Sequence, residues 1–161
     1  MRARRMTVMA VATPTPRPRR DPDLGMLVAA LLHPLQRELF SRLAERGHRL
    51  RPCHGIVLGN LDDAGMRLTE LARLAGQPKQ YVGRLVDELE ALGYVERHPD
   101  LVDRRSKLIV LTQRGREEQR LADRILADIE GRHAERIGPE RYAELRRLLQ
   151  ELAEGEDAGS S

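Results

Sequence analysis

The stretch LTELARLAGQPKQYVGRLVDELEALGYVERHPDLVDRRSKLIVLTQRG, residues 68–115, decides the fold. Thr69 is placed to cap a short helix, Glu70 to Ala75, with Gly76 as its stop. Pro78 opens the next helix, which ends near Leu92-Gly93; a proline costs nothing there because its missing N–H lies in the first turn. Within it Val82, Leu85, Val86 and Leu89 recur at i, i+3, i+4 and i+7 and form one inward face. Tyr94 to His98 and Ser106 to Leu111 read as two hairpin strands, joined by a loop from Pro99 to Arg105. Thr112 then caps a long helix.

The polar residues of this stretch point to chemistry. The outer face of the 78–92 helix presents Gln80, Gly83, Arg84 and Asp87, with Lys79 and Tyr81 near its leading end. Gln and Arg carry planar forks that match adenine and guanine edges in the DNA major groove, and Lys suits phosphate. Gly83 costs about 1 kcal/mol relative to alanine, so a close approach is expected there, to DNA or to the preceding helix. Arg104 and Arg105 sit at the hairpin end, where a guanidinium can enter a narrow minor groove. Asp103 would hold an arginine in one orientation. The ordinary alternative is a solvated helix face and a polar turn with a surface ion pair.

Outward from this centre, Leu24, Leu27, Val28, Leu31, Leu32, Leu35, Leu39 and Leu43 make one apolar helical stripe to about Glu45. Pro34 lies inside it and predicts a kink or a split. A second helix is expected from Pro52 to about Leu61. The helix after Thr112 runs to about Ile137, and Gly138-Pro139 starts a last one to about Glu154. The whole is mainly α with a small β-hairpin wing: a winged helix-turn-helix over about 50–115, flanked by helices over about 24–46 and 113–154. Those flanks carry more apolar surface than the compact centre covers, which predicts a dimerisation region and a two-fold homodimer. The domain is thus expected over 23–154, between an Arg/Pro-rich tail (1–22) and a small acidic tail (155–161), both disordered.

Composition narrows the classes. Basic and acidic residues nearly balance, 28 against 25, but the first twenty residues hold six arginines and no acid, which suggests contact with a polyanion. One cysteine, Cys53, rules out an intrachain disulfide and fits a reducing cytoplasm. No apolar run approaches the roughly 18 residues of a membrane span. Met6 to Ala12 is apolar behind Arg4-Arg5, yet prolines and no clear cleavage site follow, so export is not expected. The chain has no tryptophan and one phenylalanine, which speaks against stacking on single-stranded nucleic acid. Phosphate-loop, serine-hydrolase, zinc-protease and dinucleotide motifs are all absent, so neither catalysis nor a cofactor is expected.

Leu68-Thr69-Glu70-Leu71-Ala72, Val82-Gly83-Arg84-Leu85-Val86-Asp87-Glu88-Leu89-Glu90, Gly93-Tyr94-Val95-Glu96-Arg97 and Asp103-Arg104-Arg105-Ser106-Lys107 through Leu111-Thr112-x-x-Gly115 are similar to MarR-family transcriptional regulators. The resemblance covers about residues 25–154, and the wing with its Leu-Thr-x-x-Gly exit is its specific part. It implies a homodimer on pseudo-palindromic double-stranded DNA whose affinity a small-molecule effector or oxidant modulates. Arg105 matches the minor-groove arginine and Asp103 its orienting acid. Gln77, Lys79, Gln80, Tyr81 and Arg84 match the recognition-helix region, and Lys107 closes the wing signature. Pro78 and Gly83 stand where many members have serine or threonine. A winged helix turned protein-interaction module is the alternative.

Candidates for sensing are fewer. His33 and His54 are ligand candidates by position only. Cys53 follows Pro52 at a helix start, where the dipole favours thiolate, so a redox role is an alternative. His48, Cys53, His54 and His133 lack metal-ligand spacing; adjacent Cys53 and His54 point about 100° apart on a helix. No metal site is expected.

Overall fold

The computed structural model describes residues 21–100 and 106–158. Its chain order is α1 (Leu24–Glu45), a 3₁₀ turn (Pro52–His54), α2 (Gly55–Leu58), β1 (Met66–Arg67), α3 (Leu68–Leu74), α4 (Lys79–Ala91), β2 (Val95–Pro99), β3 (Lys107–Leu111), α5 (Gln113–Ile137) and α6 (Pro139–Ala158). This is a mainly helical winged helix with long flanking helices. Residues 1–20 and 159–161 of the expected tails, and the wing residues Asp103, Arg104 and Arg105, lie outside the described residues; α6 runs on to Ala158, into the segment expected to be a disordered tail from 155.

The sheet has three strands in the order β1-β3-β2, all antiparallel. Val95 faces Leu111 and Pro99 faces Lys107 across the hairpin. The hairpin was expected; β1 was not. Met66 and Arg67 add to the outer edge of β3 opposite Ile109 and Leu108. Gly65 makes that approach possible: its φ is +74°, and a Cβ there would lie 2.7 Å from the Ile109 carbonyl oxygen.

Three helix expectations are corrected. α1 is not split at Pro34. The carbonyl that Pro34 frees belongs to Ala30, on an exposed stretch where water can satisfy it. The helix expected from 52 to 61 is a 3₁₀ turn followed by four α-helical residues. Gly59 ends it, and the Asn60 amide donates to the Ile56 carbonyl at 2.8 Å, which competes with further helix. Thr69 does not cap α3; the helix starts at Leu68 with Arg67 before it, because the extended backbone of β1 already supplies the N-cap conformation.

Other expectations hold. Val82, Leu85, Val86 and Leu89 are the buried residues of α4. Thr112 caps α5: its hydroxyl accepts from the Gly115 N–H at 3.1 Å. The main core joins these to Val57, Leu58, Leu71, Tyr94, Val95, Ile109 and Leu111. A second, small cluster of Leu43, Ile125 and Ile129 ties α1 to α5. α6 contributes no buried residue among those described. No helix among the described residues is long and apolar enough to cross a membrane.

Candidate nucleic-acid interface

α4 lies with its apolar stripe on the core, which leaves Lys79, Gln80, Arg84 and Asp87 exposed on the opposite side. They line an open groove of about 490 Å³ with Leu68 and Gly83. At its leading end the groove meets a cleft of about 290 Å³ lined by Arg67, Leu68, Thr69, Lys79, Arg97, Ser106, Lys107 and Ile109. One wall is therefore helix and the other is the sheet that carries the wing. Tyr81 is half-buried, its ring against the core and the Arg84 guanidinium 5.8 Å from its centroid. That distance is at the outer limit of a cation–π contact, so the ring steers Arg84 only weakly. Gln77 is exposed in the turn before α4, its N–H donating to the Ala72 carbonyl at 3.1 Å.

A Cβ on Gly83 would meet only Leu68, at an ordinary 3.6 Å. The packing of α3 on α4 therefore does not require glycine here. What remains of the expectation is the outward side.

Two arginines that sequence reading missed build the cleft. The Arg67 Nε–H donates to Asp100 at 2.7 Å, and Asp100 is only 4% exposed. The Asp100 N–H in turn donates to the Ser106 carbonyl at 3.1 Å, closing the base of the wing loop. Breaking this buried pair would strand a carboxylate, which costs far more than a surface pair. Arg97 on β2 reaches back to α4 and bonds Asp87 at 2.6 Å and Glu90. Neither arrangement has a local sequence signal, because each partner pair joins distant segments. Lys79 and Lys107 have no ion pair among the described residues, and both face the same cleft.

On the other flank of α4, Glu88 accepts from His54 Nε2 at 3.0 Å and also from Arg51. Hydrogen bonds from His54 and then from Arg51 hold the Glu88 carboxyl below its ordinary range. His54 is 3% exposed. It was a ligand candidate alongside His33, which lies exposed on α1; neither lines the clefts above.

The exit from the wing is a dense joint. Thr112 donates to the Gly93 carbonyl at 2.7 Å, and its N–H donates to the Tyr94 carbonyl at 3.0 Å. A Cβ on Gly115 would come within 2.1 Å of that same Tyr94 oxygen, which explains the Leu-Thr-x-x-Gly spacing in steric terms. Arg114 stacks 4.5 Å above the Tyr94 ring and donates to the Leu92 carbonyl at 3.1 Å. The Tyr94 hydroxyl bonds His48 Nδ1 at 3.2 Å; burial, and then the Arg114 charge, push the His48 pKa below its usual value. One helical turn on, Glu118 is buried with its Oε2 unpartnered among the described residues. Burial first, and Asp123 second, raise its pKa to about 7.

Cys53 is half-buried against the main core. The expected helix-start field there is small, since only a 3₁₀ turn and four α-helical residues follow. Among the described residues no group of three or more His, Cys, Asp or Glu could hold a metal. His48 is bonded to Tyr94 and His133 packs beside Tyr142, so the four metal candidates do not converge. A further, mostly apolar cavity of about 340 Å³ lies between α1, α5 and α6.

Residues 50–106 match the model of the MarR family. Among solved structures, CouR from Rhodococcus jostii RHA1 bound to p-coumaroyl-CoA is 28% identical, with a TM-score of 0.65 over 81% of this chain and 91% of that one. The transcriptional repressor CouR bound to a 23-mer DNA duplex is 28% identical at a TM-score of 0.68, covering 81% and 92%. A MarR-family protein of Mycobacterium tuberculosis in complex with salicylic acid is 28% identical at a TM-score of 0.60, covering 82% and 97%. No curated protein matches the chain.

Proposed function

We propose that the chain, whose residues 50–106 match the MarR-family model, is a homodimeric regulator of transcription that binds double-stranded DNA. The observation that carries the reading is the continuity of the α4 groove with the basic cleft of the sheet: Lys79, Gln80 and Arg84 on one side, Arg67, Arg97 and Lys107 on the other. A duplex seated there takes α4 in its major groove, with Gln80 and Arg84 toward base edges and Gln77, Lys79 and Tyr81 at the leading end. The wing, with Asp103, Arg104, Arg105 and Lys107, then lies along the adjacent minor groove. The relative CouR bound to a DNA duplex supports this mode.

The exposed leucines of α1 and α6 support a second copy, and two-fold symmetry gives an inverted-repeat operator with half-sites roughly 34–36 Å apart. Relatives bound to p-coumaroyl-CoA and salicylic acid support modulation by a small ligand, which acts by favouring the dimer spacing that fits or misses both grooves. A cytoplasmic repressor without enzymatic activity is the reading that fits these parts together. Selection of bound sequences from random duplex DNA tests it directly. Recovery of an inverted repeat with that spacing is expected. Binding that salt abolishes, with no preferred sequence, would leave a protein-interaction module instead.

A further inference from the structure

The core side of α4 is wholly apolar, and apolar contacts are not directional. Such a face holds the helix down but constrains its roll weakly. Roll matters for reading bases: turning a helix by about 20° moves a side-chain atom 5–6 Å from the axis by about 2 Å. Hydrogen bonds to base edges tolerate only a few tenths of an ångström. Directional pins on the two flanks of α4 supply what the core does not. On the wing side, Arg97 bonds Asp87 and Glu90. On the other side, Glu88 is held by the 3₁₀ turn through His54 and Arg51.

We propose that His54 is a positioning residue for the DNA-reading helix, fixing the roll of α4 through Glu88 against the opposing pull of Arg97. This rests on the DNA-binding reading above. The ring is suited to the role because both nitrogens are committed. The Arg51 N–H donates to Nδ1 at 3.2 Å, so Nδ1 carries the lone pair and Nε2 carries the hydrogen given to Glu88. The imidazole therefore links the backbone of the 3₁₀ turn to α4 in one defined orientation. It is neutral in that state and buried, so it adds no charge toward a duplex and touches none of the groove residues. Arg51 in the same cluster offsets the charge of Glu88, an acid on a helix that must approach phosphates, as Arg97 offsets one of the two charges of Asp87 and Glu90.

The test separates positioning from contact. His54→Phe keeps a buried ring and removes both hydrogen bonds. On the full-length protein, fluorescence anisotropy measures affinity for the selected operator, for operators with one changed base, and for random duplex, across a salt series. His54→Phe is expected to lower discrimination between the operator and its one-base variants by about tenfold. Affinity for random duplex and the salt slope stay unchanged, because no phosphate contact is lost. His54→Gln, which can still donate to Glu88, restores discrimination in part. Glu88→Ala opens the clamp from the other side and decides the matter if His54→Phe does not fold. It is expected to raise affinity for random duplex while discrimination falls. Unaltered discrimination in the folded variants would overturn the clamp while leaving DNA binding intact; a wild-type protein with no preferred duplex would remove the reading beneath it.

Discussion

The winged unit and the helical arms handle apolar residues in opposite ways. Between Leu50 and Leu111 the chain closes a core in which Val57, Leu71, Val82, Val86 and Leu89 are fully shielded from solvent. The arms do no such thing. On α1, Leu24 is 60% exposed and Leu27, Val28, Leu31 and Leu32 follow it; on α6, Leu145, Leu148, Leu149 and Leu152 are exposed, the last at 58%. Each such side chain gains about 1.5–3 kcal/mol when fully buried. The winged unit is thus complete as a folding unit, whereas the arms are stripes awaiting a surface. Stability and assembly are assigned to different parts of one chain.

The strongest way to break this contrast is to charge the arms. Leu148→Asp with Leu152→Asp is expected to yield a monomer by sedimentation, with the circular dichroism of the winged unit preserved. Losing the second half-site then lowers operator affinity by about 100-fold or more. A double variant that sediments as the wild type does would show that α6 is not the seam of the proposed dimer.

Within the joint between the two regions, Gly115→Ala forces a methyl group into the Tyr94 carbonyl oxygen. A loss of about 3 kcal/mol or more is expected in urea unfolding, since both clashing groups belong to hydrogen-bonded backbone. A loss below about 1 kcal/mol would mean that α5 can slide on the sheet.

Glu118 sharpens the same joint through pH. Its carboxyl titrates at about 7 in the fold against 4.5 when solvated, so between those values the native state binds more protons than the unfolded one. Stability is therefore fully present below about 4.5 and is lost as pH rises through about 7, by up to about 3 kcal/mol. Glu118→Gln is expected to flatten that slope and to be the more stable protein at pH 8. Parallel stability profiles for the two proteins between pH 5 and pH 8 would refute the assignment.

The smallest effect belongs to the reading helix. Gly83→Ala meets only an ordinary contact with Leu68, so thermal unfolding should show a gain of about 0.5–1 kcal/mol. If operator affinity falls in the same variant, the glycine serves the duplex and not the fold.

What the sequence disclosed follows from range. The α4 stripe, the Thr112 cap and the hairpin are written in residues three or four apart or in strict alternation, and each was legible. β1 was not, because two residues have no period and exist as a strand only through β3. The split allowed for at Pro34 did not occur, since it depends on whether water reaches one carbonyl, a property of the surroundings. The pairs Arg67–Asp100, His54–Glu88 and Arg97–Asp87 were invisible for a different reason. Charged residues abound in this chain, and only the fold selects which ones meet. The groove-facing residues Lys79, Gln80 and Arg84 could be picked out beforehand because they are what remains of α4 once its apolar positions are assigned.

The seamless passage from β3 into α5 has a mechanical consequence. No flexible linker separates hairpin from rod: Thr112 and Gly115 lock the first turn onto Gly93 and Tyr94, the turn between α4 and β2, and 25 residues of helix extend from there, about 37 Å. A tilt of only about 5° along such a lever displaces its opposite end by about 3 Å, close to the rise of one base pair. In a dimer joined through the arms, as proposed above, small adjustments at the seam would reach the DNA as a whole step of misregister.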